Sequence, residues 1–156
     1  MKIKSIETFV VSIPLRPECL MITALGVHID STYVIVRVET DDGFEGAGEA
    51  TVSERWSGET PQGTVAILEN VFIPGVVGMD PTDIEAIDSR LNTLARGNWF
   101  AKSAIEMACW DILGKHAGKP VYELLGGPSR ERKYENRFSM GAFDVPRAEQ
   151  RAYELV

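Results

Sequence analysis

The feature that most constrains the fold is the segment "STYVIVRVETDDGFEGAGEAT" (residues 31–51), in which apolar residues alternate up to a tight turn. A period of two directs every second side chain to one face of a strand, here Val34, Val36 and Val38. Asp42-Gly43 then favours a tight turn, because glycine adopts positive φ angles without steric strain. The segment therefore predicts a β-hairpin over residues 32–51.

Strands come first in this chain and helices follow. Residues 2–14, rich in Ile, Val and Phe, predict a further strand, and residues 15–30 predict a loop. Three helices are expected after the hairpin: from Pro61 to about Phe72, from a cap at Asp80 with Pro81 in first position, and over residues 101–118 with Gly118 at the end. This order predicts an α+β fold, a three-stranded antiparallel meander followed by a helical bundle.

The last 40 residues predict a join between two parts of a protein. "PVYELLGG" is a short apolar helical turn that begins at Pro120 and is stopped by Gly126-Gly127. After it, residues 132–143 are apolar enough to be a strand, and Asp144 with Pro146 begins a helix. One strand and one helix make a βα unit, which needs a parallel neighbour. We therefore expect this unit to be the first of a longer structure.

Composition excludes several classes of function. The 156 residues carry a net charge of -7 and no basic stripe, which argues against a nucleic-acid partner. The N-terminus lacks the long apolar block of a signal peptide, and no apolar run reaches the ~18 residues of a membrane helix. Cys19 and Cys109 lie far apart in sequence, which is typical of free thiols in a reducing compartment. These observations predict a cytoplasmic protein without a membrane partner.

Several polar or glycine-rich motifs could carry chemistry, but each has a simpler interpretation. "GFEGAGEA" lacks the third glycine of a dinucleotide-binding loop, so Gly46 and Gly48 predict close packing of two backbones instead. For Glu49 a buried or capping role is favoured over a catalytic one. Asp111 is interpreted as a hydrogen-bonded structural acid, and His116 as a partner of a helix C-terminus.

The remaining titratable residues do not assemble a nucleophile, a base and an orienting group. Asp83, Glu85 and Asp88 are typical of a solvated helix face rather than a cation site. His28 lies in the loop at 15–30, where a substrate contact stays open as an alternative. From these residues alone, the sequence predicts an α+β domain with two polar loops.

Residues 98–127, "NWFAKSAIEMACWDILGKHAGKPVYELLGG", resemble the enolase superfamily, specifically its mandelate racemase and muconate lactonizing enzyme group. "VRVETDDGFEGAGEAT" and "SGETPQG" also resemble segments of this family, so that the resemblance covers nearly the whole chain. It implies an α+β capping domain in front of a modified TIM barrel. Residues 1–128 would then be the capping domain, and residues 129–156 the first strand and helix of an incomplete barrel.

The resemblance implies removal of a proton α to a carboxylate, with Mg²⁺ or Mn²⁺ stabilising the enolate. In the family, a Lys-x-Lys base lies on the second barrel strand and three carboxylate metal ligands lie on later strands. A TIM barrel takes ~250 residues, so these roles are expected outside this chain. No catalytic or metal-binding residue is therefore assigned here, Lys133 included, and the chain alone is expected to be inactive.

In this family two loops of the capping domain close over the barrel mouth and contact the distal part of the substrate. The first loop corresponds to residues 16–30 and the second loop to residues 52–60. The expected substrate contacts are Ile22 and Thr23 in the first loop, and Arg55 and Trp56 in the second. Trp56 would supply an apolar wall, and Arg55 would pair with a distal carboxylate.

The substrate is expected to be a small carboxylate, and four functions stay open. A muconate cycloisomerase-like enzyme is favoured by "RPECLMITALG" and "SGETPQG". An N-acylamino acid racemase or dipeptide epimerase and a sugar-acid dehydratase are alternatives within the superfamily. A non-catalytic binding or assembly module is the alternative of another class. We also expect a homo-oligomer, because an incomplete barrel leaves apolar surface exposed.

Overall fold

The computed structural model describes residues 1–24, 26–128 and 141–155. The strands are β1 (Ile3–Pro14), β2 (Met21–Thr23), β3 (Gly26–His28), β4 (Asp30–Thr40) and β5 (Glu45–Thr51). The helices are α1 (Pro61–Ile67), α2 (Ile73–Val76), α3 (Ile84–Leu94), α4 (Trp99–Ala117), α5 (Val121–Leu124) and α6 (Val145–Glu154). A 3₁₀ turn (Pro17–Cys19) follows β1, and a π-helical turn (Leu68–Phe72) joins α1 to α2.

The main sheet has the strand order β1-β4-β5, which confirms the predicted meander. β4 and β5 are antiparallel, with Val36 opposite Gly48. Lys4 and Glu7 of β1 form ion pairs with Glu39 and Arg37 of β4, respectively. The residue number thus increases along β1 while that of the partner on β4 decreases. This order of cross-strand pairs is that of antiparallel neighbours.

The chain divides into two compact units. Unit 1 contains Met1–Val11 and Thr32–Pro128, and unit 2 contains Ser12–Ser31 and Ser129–Val156. In unit 1 the valine face of β4 and the helices form one apolar core, as the alternation predicted. Its completely buried side chains include Val34, Val36, Val38, Leu68, Phe72, Val76, Ile87, Ile105 and Ile112.

The packing of β5 against α4 confirms the interpretation of the two glycines. A Cβ on Gly46 would lie 2.1 Å from the Ala108 oxygen, and a Cβ on Gly48 would lie 1.8 Å from the Ala104 oxygen. Real Cβ atoms do not approach oxygen so closely, so the strand and helix backbones are in contact at both positions. Any side chain at these two sites would separate the sheet from the helix.

Helix starts agree with the sequence patterns except at α3, whereas the helix expected to end near Phe72 continues through the π-helical turn into α2, to Val76. Thr60 caps α1 by accepting from Gly63 N (2.9 Å), with Pro61 in the first turn. The expected cap at Asp80 was wrong, because Asp83 caps α3 by accepting from Ala86 N (3.0 Å). Asp80 instead accepts from the backbone N–H of Thr82 (2.9 Å). That bond forms a local turn, which delays the helix by a few residues.

The C-terminal elements are largely as expected. Gly118 ends α4 in the left-handed conformation (φ 64°), and the Gly126-Gly127 pair after α5 also has positive φ angles. Asp144 caps α6 by accepting from Arg147 N (2.9 Å). Most of the strand predicted at residues 132–143 lies within residues 129–140, which are not among the described residues. None of the helices in the described part of the chain is both long and apolar enough to cross a bilayer.

The expectation of a plain loop at residues 15–30 was wrong. Within unit 2, β2 and β3 pair as an antiparallel hairpin, with Ile22 opposite Val27 and Thr23 opposite Gly26. Strands of three residues are too short to produce a readable alternation, and the mixed polarity of this segment concealed them. Residues 21–23 and 26–28 of the first loop therefore form paired strands.

Candidate functional site

The second loop (residues 52–60) is an ordered turn in unit 1. The Ser53 carbonyl accepts from Trp56 N (3.0 Å) and from Ser57 N (2.7 Å). The Ser57 hydroxyl donates to the same carbonyl (2.9 Å) and accepts from Ser53 N (3.2 Å). These bonds close a turn whose tip carries Arg55 and Trp56, the two expected contact residues. The Trp56 side chain is 81% exposed, so it presents a large apolar surface at that tip.

Glu59 anchors this turn, and sequence reasoning missed it. One carboxylate oxygen accepts from the backbone N–H of Phe100 (3.3 Å), in the first turn of α4. The residue that precedes α4, Asn98, directs its side chain to the Arg96 carbonyl (3.0 Å) and is in the left-handed conformation. Glu59 therefore supplies an acceptor that the local sequence does not, since it lies 41 residues before Phe100. A carboxylate is also favourable at a helix N-terminus.

The second oxygen of Glu59 is buried and accepts no hydrogen bond from the described part of the chain. The backbone N–H of Glu59 donates to the Ser57 hydroxyl (3.2 Å), so the same residue contacts the turn and the helix. Directly after it, Thr60 caps α1. The second loop is thus connected at its C-terminal end to two helices of unit 1.

The first loop places Ile22 and Thr23 next to each other on β2, in unit 2. Ile22 is partly buried and Thr23 is exposed. The Thr23 hydroxyl donates to the Gly26 carbonyl across the hairpin (3.5 Å). The backbone carbonyl of Ile22 accepts from Ala142 N (2.8 Å), so residues that follow the undescribed segment contact this loop. His28 forms a hydrogen bond with the Ser31 hydroxyl (3.0 Å).

The other candidates have structural partners. Asp111 accepts from Ala47 N (3.0 Å) and Lys115 Nζ (2.8 Å), which confirms it as a structural acid. The buried or capping role expected for Glu49 was wrong, because its side chain is exposed and accepts from Thr51 (2.7 Å). His116 contacts the Phe44 ring edge to face, with the ring centroids 5.5 Å apart.

The acidic residues and cysteines do not form a metal centre in the described part of the chain. Among residues 1–24, 26–128 and 141–155, no group of three His, Cys, Asp or Glu side chains could hold a metal ion. Asp83 caps α3 and Asp88 accepts from Asn92. Both cysteines are free thiols, and burial raises the pKa of Cys109 to about 12. The described residues therefore do not fit the Mg²⁺ or Mn²⁺ that the family resemblance implies.

Curated relatives include enzymes of different activities. N-succinyl-L-Arg/Lys racemase of Bacillus cereus is 35% identical over 131 residues, which cover 84% of this chain and 35% of the racemase. Muconate cycloisomerase 1 of Pseudomonas putida is 44% identical over 102 residues, which cover 64% of this chain and 27% of that enzyme. The chain thus spans about a third of the length of the curated relatives it matches.

Solved structures of relatives superpose on nearly the whole chain. The B. cereus N-succinyl Arg/Lys racemase matches 99% of this chain with a TM-score of 0.90 and 32% identity, over 41% of its own length. The dipeptide epimerase of Enterococcus faecalis, complexed with Mg and L-Leu-L-Tyr, matches 99% of this chain with a TM-score of 0.89 and 30% identity, over 42% of its length.

The profile of one family covers most of the sequence. The mandelate racemase / muconate lactonizing enzyme N-terminal domain matches residues 5–126, which run from within β1 to the end of α5 and include both loops. Together with the two superpositions, this match decides the family. The chain belongs to the mandelate racemase / muconate lactonizing enzyme family of the enolase superfamily, and its residues 5–126 correspond to the N-terminal domain of that family.

Proposed function

We propose that this chain is the capping part of a metal-dependent enzyme that removes the proton α to a carboxylate in an N-acylated amino acid or a dipeptide. The observation that carries this proposal is the superposition of 99% of the chain, including both loops, on a racemase and an epimerase with these substrates. Residues 1–128 are the capping domain in this proposal, and residues 129–156 begin the barrel.

The two loops bind the part of the substrate that does not react. In the second loop, the exposed indole of Trp56 covers apolar parts of the substrate, and Arg55 pairs with a distal carboxylate such as that of a succinyl group. In the first loop, Ile22 and Thr23 contact the substrate from a hairpin with fixed backbone geometry. Glu59 positions the second loop by its bond to α4.

The base and the metal ligands are proposed to lie outside the described residues. Mg²⁺ or Mn²⁺ on the carboxylate oxygens would make the α-proton acidic enough to be removed. Because the described residues do not fit a metal ion, no step of the reaction is assigned to them. The contribution of this chain is to bind, orient and shield the substrate, and alone it is expected to be inactive.

Muconate cycloisomerisation is the second candidate, and its support is the 44% identity to the P. putida enzyme. Both reactions begin with a carboxylate substrate, and they differ in the product that is formed from it. The α-proton of an amino acid derivative exchanges with solvent during racemisation, whereas muconate forms a lactone. The two candidates can therefore be separated by their products.

The test is an α-proton exchange assay on the protein encoded by the complete gene, with Mg²⁺ present. N-succinyl-L-arginine, N-succinyl-L-lysine and L-Leu-L-Tyr are incubated in D₂O, and loss of the α-proton signal is followed by NMR. We expect exchange with at least one of them. Lactone formation from cis,cis-muconate without any exchange would replace the proposal by the second candidate. Inactivity on all four compounds would refute both candidates and would leave the sugar-acid dehydratase and the non-catalytic module as the remaining functions.

Arg55 gives a sharper version of this test. Arg55→Met should raise KM for the succinylated substrates about tenfold or more, because a charge-assisted hydrogen bond contributes about 1.5–3 kcal/mol. Arg55→Met should leave KM for L-Leu-L-Tyr almost unchanged, since that substrate has no distal carboxylate. Arg96→Met, an exposed arginine of the same unit, is the matched control. An equal change for both substrate types would exclude the assigned role.

A further inference from the structure

The edge of the first-loop hairpin is paired with a distant part of the chain. In an antiparallel ladder, alternate residues direct their N–H and C=O groups away from the partner strand. Ile22 is such a residue of β2, because its carbonyl accepts from Ala142 N at 2.8 Å. Both residues belong to unit 2. Residues 141–142 therefore satisfy a backbone group that a free hairpin would leave to water.

Gly141 is the residue that permits this approach. A Cβ at this position would lie 3.1 Å from Ile22 N and also 3.1 Å from Ile22 O, closer than ordinary van der Waals contact. Both atoms belong to the backbone, so they cannot move away by a change of rotamer. A side chain at residue 141 would require the backbone to shift by a few tenths of an ångström at Ile22, a residue predicted to contact the substrate.

The 141–142 segment is itself held in place. Phe143 N donates to the Gly141 carbonyl (2.9 Å), and α6 begins two residues later with the Asp144 cap. The guanidinium of Arg147, in the first turn of α6, lies over the Phe143 ring at 4.2 Å from its centroid. Gly141 and Ala142 are thus fixed directly in front of a capped helix, which is a rigid support for the hairpin.

We propose that Gly141 is a positioning residue that determines specificity, because it sets where Ile22 and Thr23 lie. The inference rests on the proposed function, since those two side chains are taken to contact the substrate. Ile22 and Thr23 are adjacent on β2 and are therefore carried by the same stretch of backbone. A displacement at Ile22 therefore changes the positions of both contact residues together and alters substrate preference rather than chemistry.

The first test concerns the contact alone and needs no substrate. In the protein encoded by the complete gene, NMR hydrogen exchange should show the Ala142 amide protected by about 100-fold or more relative to an unstructured peptide. Gly141→Ala should accelerate exchange in residues 21–23 and 26–28. Ala142→Ser should not, because it keeps the backbone N–H and adds only a hydroxyl group to an exposed side chain. An unprotected Ala142 amide in the unmodified chain would overturn the proposal without any variant.

The second test concerns specificity in the complete enzyme. Gly141→Ala should raise KM about tenfold for the preferred substrate, leave kcat nearly unchanged and reduce the preference between N-succinyl-L-arginine and L-Leu-L-Tyr. Ala142→Ser should keep the preference of the unmodified enzyme. An equal fall of kcat for all substrates would indicate general destabilisation and overturn the assignment. If the enzyme acts on none of these substrates, the proposed function fails while the exchange test still decides the contact.

Discussion

We expect Gly48→Ala to destabilise unit 1 strongly, because β5 and α4 touch there backbone to backbone. The Cβ of an alanine would lie 1.8 Å from the Ala104 oxygen, and the corresponding distance at Gly46 is 2.1 Å, to the Ala108 oxygen. The two contacts are spaced alike, two residues apart on β5 and four residues apart on α4. Two residues along a strand span about 6.6 Å and four residues along a helix about 6 Å, so both glycines meet the helix at equivalent points.

The magnitude follows from what would have to move. The Ala104 carbonyl and the new methyl group would have to separate by about 1.5 Å to reach van der Waals contact. Neither group can rotate away, and α4 is held by the completely buried side chains of Ile105 and Ile112. Overpacking a core usually costs about 1–3 kcal/mol, and we expect about 3 kcal/mol because the obstacle is a helix backbone.

Urea unfolding followed by far-UV circular dichroism measures this loss. With an m-value of about 2 kcal/mol/M, a loss of about 3 kcal/mol lowers the midpoint by about 1.5 M. The matched control is Ala47→Ser, which adds one heavy atom to the exposed face of the same strand and keeps the N–H bonded to Asp111. It should change the stability by less than about 0.5 kcal/mol.

A second variant separates backbone contact from ordinary crowding. At Gly75 a Cβ would lie 2.3 Å from Leu94 Cδ1, the end of a flexible side chain, so Gly75→Ala should cost clearly less than Gly48→Ala. The reasoning is refuted if Gly48→Ala unfolds at the same urea concentration as Ala47→Ser. It is also refuted if Gly75→Ala is the more damaging change, since side-chain crowding would then dominate.

Two further predictions concern buried groups of unit 1. Lys102 is 5% exposed and donates to the Ala95 carbonyl (2.7 Å) at the end of α3. Lys102→Met should therefore lower the free energy of unfolding in urea by about 1–3 kcal/mol. The control Lys119→Met, which changes an exposed lysine, should be nearly neutral. Burial raises the pKa of Cys109 from 9.0 to about 12. The free energy of unfolding should therefore fall as the pH rises from 9.0 to about 12, because the thiol ionises first in the unfolded chain. Cys109→Ala should abolish the contribution of this thiol to the pH dependence.

The fold was predictable where local sequence signals agree with packing. The valines of β4 alternate and are buried, and the glycines of β5 meet α4, because both patterns reflect one tightly packed interface. Prediction failed at Asp80 and in the first loop. At Asp80 two neighbouring acids could each cap a helix, and the choice depended on which of them formed a local turn. In the first loop, the strands were too short to show a period.

The candidate site was predictable only as two segments. Arg55 and Trp56 lie at the tip of an ordered turn, but the residue that anchors this turn, Glu59, acts on Phe100, 41 residues away. The pairing of Ile22 with Ala142 is likewise distant in sequence. Capping rules and turn propensities concern neighbours within a few residues, so they cannot identify a carboxylate or an amide supplied by another part of the chain.

Both loops are held by groups other than the side chains proposed to contact the substrate. Glu59 reaches the backbone N–H of α4, and the backbone of Ile22 is held by Ala142 N–H next to a glycine. A loop fixed in this way keeps its position when an exposed residue such as Trp56 is exchanged, because surface substitutions usually change stability by less than about 0.5 kcal/mol. In the proposed function, substrate preference can therefore change at the tips of the loops while the capping fold stays intact. On the proposed function, this separation would allow one capping fold to serve racemases, epimerases and cycloisomerases.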